Sequence, residues 1–174
     1  MFNRTFTALS LLLIAATAFA QQAPKKVLSQ ADINAFNQHI EAINRDLESV
    51  ESPIDIMEIN PMAMDEGNDL TAYITNMRNT PASPAVQAIF RKYGLGDNGF
   101  EKYLVILFSV SAEATKREMA EVRDLYAVMP EGASFIASID SMITQMEAAL
   151  HRDDRALVLS QIDSLISLID DDDD

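Results

Sequence analysis

The sequence predicts an all-α fold, a single-domain up-and-down bundle of about five to six helices, on three observations. Apolar residues recur at alternating spacings of three and four along most of the chain, which is the period of one helix face. Residues that start and stop helices punctuate those stretches, among them Ser29, Ser83-Pro84, Gly94 and Pro130 with Gly132. No stretch sustains the alternation of a strand, and no repeat of solenoid length recurs. The 174 residues suit one domain of ordinary size.

Residues 1–20 read as a cleaved signal peptide. Arg4 supplies the positive start, Ala8 to Ala16 the short apolar run, and Ala18-Phe19-Ala20 the small-x-small cleavage pattern. That run is shorter than the roughly 20 residues of a membrane span. No cysteine follows to carry a lipid. The expected product is periplasmic, with secretion as the alternative, and has no stable membrane insertion. Residues 21–28 read as a flexible polar leader, 29–169 as the helical domain, and 170–174 as an acidic tail.

Ser29 opens the first helix, with Asp32 completing a capping box and Leu28 and Ile33 at hydrophobic-staple positions. Its stripe is Ile33, Phe36, Ile40, Ile43, Leu47 and Val50, and Pro53 ends the run. Residues 52–69, with two prolines and a glycine, predict a long irregular loop. A short helix from Leu70 to about Arg78 should turn Leu70, Tyr73, Ile74 and Met77 inward. Ser83 and Pro84 suit the cap and first position of the next helix, whose stripe is Val86, Ile89, Phe90 and Tyr93. Gly94 stands where a left-handed residue closes a helix. Asn98 and Glu101 pair as a cap for the longest helix, running to about Met129. Its first half, Tyr103 to Val110, is apolar nearly all round and predicts the most buried element. Glu113, Arg117 and Glu121 fall four apart on its wet side. Phe135, Ile139, Met142, Met146 and Ala149 define the next helix, with His151 and Arg152 at its C-terminal end. Asp153 or Asp154 should cap a last helix with the stripe Val158, Ile162, Leu165 and Ile169.

Composition narrows function by exclusion. Thirteen Lys and Arg against 27 Asp and Glu give a net charge of −14. Phosphate backbones and anionic bilayers recruit the opposite sign, so nucleic acid is not expected as a partner. The absence of cysteine removes disulfides, thiolate nucleophiles, zinc fingers and covalent haem. Gly94-Leu-Gly96-Asp-Asn-Gly99 is a literal G-x-G-x-x-G, but it follows a helix and carries Asp97 where a phosphate would approach. Glu147 and His151, four apart, lack a third ligand for zinc and read as a surface ion pair. His39 reads as a boundary residue. No serine sits in a nucleophile-elbow context, and coincidental carboxylate pairs are expected among so many acids.

No catalytic residue and no cofactor are therefore assigned. The leading reading is a non-enzymatic protein of the cell envelope that binds another protein, its acidic surface favouring a basic partner. Two alternatives stand beside it. Met57, Met62 and Met64, in one acidic loop of an exported chain, offer thioethers to Cu(I) or Ag(I). An unrecognised enzyme would have to use dispersed carboxylates. Met77, Met119, Met129, Met142 and Met146 follow core periodicity. The run Asp170 to Asp174 opposes the helix dipole and reads as a solvated tail, with weak Ca²⁺ capture as its functional reading. Neither oligomeric state nor partner identity is legible.

Overall fold

The computed structural model describes residues 23–50 and 69–170, which form seven α-helices with no strand among them. In chain order these are α1 (Gln30–Glu48), α2 (Leu70–Asn79), α3 (Pro84–Lys92), α4 (Gly99–Ala127), α5 (Gly132–Ala148), α6 (Arg152–Leu159) and α7 (Ile162–Asp170). The all-α class stands.

Local chemistry sets most of the boundaries. At α1 the Ser29 amide donates to Asp32 Oδ2 at 2.8 Å while the Asp32 amide reaches back to Ser29 Oγ at 3.4 Å, closing the capping box. Ser83 caps α3 by accepting from the Val86 amide, with Pro84 at the first helical position. Gly94, at φ +83°, ends α3 in a Schellman turn: the Leu95 amide donates to the Phe90 carbonyl and the Gly94 amide to that of Arg91. This pattern accounts for the first glycine of the G-x-G-x-x-G run as a helix stop.

The 29-residue α4 touches all six other helices. Its Leu104, Val105 and Ile106 have no solvent exposure, as its all-round apolar sequence requires. Phe36 from α1 and Phe90 from α3 each pack a tilted ring on Tyr103 from α4, at centroid separations of 5.8 Å and 5.3 Å. Ile74, Met146, Val158 and Leu165 bring α2, α5, α6 and α7 into the same core.

Several expectations give way. Tyr73 is 38% exposed rather than turned inward, because Ile74 and Met77 already fill the buried side of α2. Asn98 makes no side-chain cap, and Glu101 leaves the helix start to pair with Arg78 at 2.9 Å. The last helix is two: α6 stops at Ser160 and α7 restarts at Ile162, with Gln161 between them accepting a hydrogen bond from Asn37 Nδ2 at 2.8 Å. His151 does not close α5. It caps α6, its Nδ1 accepting from the Asp153 amide at 3.1 Å. Ile169 has no described side chain, so its place in the stripe lies outside the described residues.

Among the described residues, three of the four buried polar or charged side chains, Asp32, Arg78 and Asp154, bond to residues 25–29. Asp154, with no solvent exposure, accepts from the amides of Val27 and Leu28, both at 2.9 Å. Arg78 donates to the carbonyls of Ala149 at 2.7 Å and Lys25 at 3.2 Å, and to Glu101. Lys102 pairs with the buried Asp32 at 2.7 Å and also donates to the Leu95 carbonyl. From Lys25 onward, the segment expected to be a flexible leader is thus a strap tied to the bundle by hydrogen bonds at Lys25, Val27 and Leu28.

Candidate interaction surface

Met57, Met62 and Met64 lie outside the described residues, as do Asp171 to Asp174. Met77, Met119 and Met146 are core residues, 5%, 6% and 1% exposed. Among the described residues no group of three His, Asp or Glu side chains is close enough to share a metal ion. Glu147 does not pair with His151 but with Lys116 and Arg155. His39 is half-buried, with its ring 5.3 Å from that of Tyr93. Of the candidates that are described, His39, Glu147 and His151 form no shared metal site.

What the fold does assemble is an apolar end. The pairs Lys116–Glu147 and Arg123–Asp140 run in opposite chain directions, so α4 and α5 form an antiparallel hairpin. At its corner Leu125 is 65% exposed, Val128 81% and Met129 50%. Leu125 lies in the last turn of α4, Val128 is its C-cap and Met129 follows directly, so the three exposed apolar residues sit together at the hairpin corner. Met129 departs from the core role its spacing suggested.

The corner beneath the patch is tightly built. Tyr126 and Phe135 pack with ring centroids 4.8 Å apart across the two helices. Arg123 grips Asp140 with two nitrogens, at 2.6 Å and 3.2 Å. Gly132 passes so close to the Tyr126 carbonyl that a β-carbon would sit 1.6 Å from its oxygen, which no side chain allows. The exposed residues therefore project from a fixed platform.

The sequence held a signal for this surface. Glu113, Arg117 and Glu121 mark the wet side of α4, and the same spacing reaches Leu125 and Met129.

A second concavity, of about 650 Å³, lies between the strap at Ala23 to Lys25, the α2 face of Thr71, Thr75 and Asn76, and the end of α5. Arg78 and Glu101 border it and pair with each other, and Arg78 also donates to two backbone carbonyls, while its buried Nε has no partner.

Comparison with protein-family models, with curated proteins and with solved structures gives no match to this chain.

Proposed function

We propose that this is an exported, non-enzymatic helical protein of the cell envelope that works by binding another protein through the α4–α5 end. The observation that carries the reading is the patch of Leu125, Val128 and Met129, apolar and at least half exposed on a stapled corner. Contiguous exposed apolar side chains on an otherwise charged surface cost solubility and are characteristic of contact sites. The chain's net charge of −14 favours a basic partner. Residues 1–20, read as a signal peptide, support a periplasmic location, with secretion as the alternative.

Site-specific photocrosslinking in cells tests the reading. A crosslinker at Val128 should yield a discrete protein adduct in the envelope fraction. One at Arg152, whose side chain is 94% exposed away from the patch, should not. Equal adducts from both positions, or none from Val128, would overturn it. Mass spectrometry of the purified protein should find Gln21 at the N-terminus if the leader is removed.

A further inference from the structure

We infer that the occupant of the α4–α5 end is a cationic amphipathic helix, an inference that rests on reading that end as a protein contact. On α4, positions 118, 121 and 125 fall on one face, and Val128 and Met129 follow where the helix ends. That face carries Glu118, Glu121 and Leu125 and runs into Val128 and Met129 at the corner, all five exposed. It is therefore graded, apolar at the corner and acidic one to two turns below.

The acids of this end have no counter-charge. Glu118, Glu121, Asp124 and Glu131 make no ion pair among the described residues. The one basic residue between them, Arg123, is taken by Asp140 with both arms. A partner that covers Leu125 and Val128 must also meet these carboxylates, and like charges brought together without cations cost affinity.

That requirement selects among occupants. A second copy would bring the same acids to its own patch. The chain's residues 51–68 carry Glu51, Asp55, Glu58, Asp65 and Glu66 with no Lys or Arg, and residues 171–174 are all Asp. An anionic bilayer is repelled for the same reason. A helix with apolar residues at three- and four-residue spacing and Lys or Arg flanking them meets both halves of the face. Such a helix lies along α4 as one helix packs on another. The corner staples leave α4 and α5 little to reorganise on binding.

The test is calorimetric titration of the purified full chain with designed helical peptides of about 18 residues. One has a Leu stripe flanked by Lys, the other the same stripe flanked by Glu. The Leu/Lys peptide should bind and the Leu/Glu peptide should not. Leu125→Ser with Val128→Ser, which removes apolar surface and no charge, should weaken the Leu/Lys peptide roughly tenfold. Glu118→Gln with Glu121→Gln should weaken it and flatten its salt dependence between about 50 and about 500 mM NaCl. All four positions are exposed, and circular dichroism confirms that each variant is folded. Equal binding of both peptides, or Leu/Lys binding indifferent to the serine pair, overturns the inference. So does patch-dependent binding to phosphatidylcholine vesicles, or a dimer in ultracentrifugation that the serine pair dissolves. A Val128 crosslink that persists in cells while the Leu/Lys peptide fails would leave the protein contact standing and remove the cationic helix.

Discussion

A carboxylate fully shielded from water must find donors, and Asp154 finds the amides of Val27 and Leu28. Asp154→Ala leaves both without a partner and should cost about 2–4 kcal/mol, read from the urea midpoint. Asp154→Asn, which keeps one acceptor oxygen, should cost less. Asp32 gives a different handle. Burial pushes its carboxyl up, but hydrogen bonds from Lys102 and Ser29 outweigh burial and hold it below its ordinary 3.8. A carboxyl lowered on folding stabilises the fold above its unfolded pKa, and that contribution is lost as pH falls through the folded value. The loss of stability below about pH 4 should therefore be shallower in Asp32→Asn than in the parent, and an identical acid limb would remove Asp32 from that role. At this scale the sequence was half legible. Ser29 and Asp32 announce themselves because they are three residues apart, whereas Asp154 looks like a local helix cap and its partners lie 126 and 127 positions away.

Helix ends separate what a sequence can disclose from what it cannot. Ser83-Pro84 and Gly94 act through their own backbone geometry, so α3 was readable at both ends. Gly94→Ala should cost about 1 kcal/mol or more in thermal unfolding, since alanine is strained at positive φ. Gly132→Ala must push the corner away from Tyr126, so it should destabilise the protein and increase hydrogen exchange at the α4–α5 end before elsewhere. The α6–α7 break was not readable. Ser160 and Gln161 are neither proline nor glycine, and it is Asn37 of α1 that meets the chain there. His151 misled for a related reason: a basic residue after an apolar stripe suits a helix C-terminus, but its neutral ring nitrogen serves equally as an N-terminal acceptor. The apolar end is not marked by spacing alone, because Met129 fits the core period of α4 yet stands 50% exposed just past the helix end.

For the molecule as a whole, a net charge of −14 is a standing repulsion that the folded state concentrates. The ion pairs at Arg91, Lys92, Arg117 and Arg123 are largely exposed and weak, so screening should relieve more repulsion than it loses attraction. Added NaCl should raise the melting temperature between about 10 and about 150 mM, and a fall would show that paired charges dominate. The strap has a temporal implication. Chains emerge from ribosomes and translocation pores N-terminus first, yet residues 25 to 28 of this one are fastened by side chains at positions 78 and 154. Residues 27 and 28 thus gain their carboxylate anchor only after a further 126 residues of chain have been made.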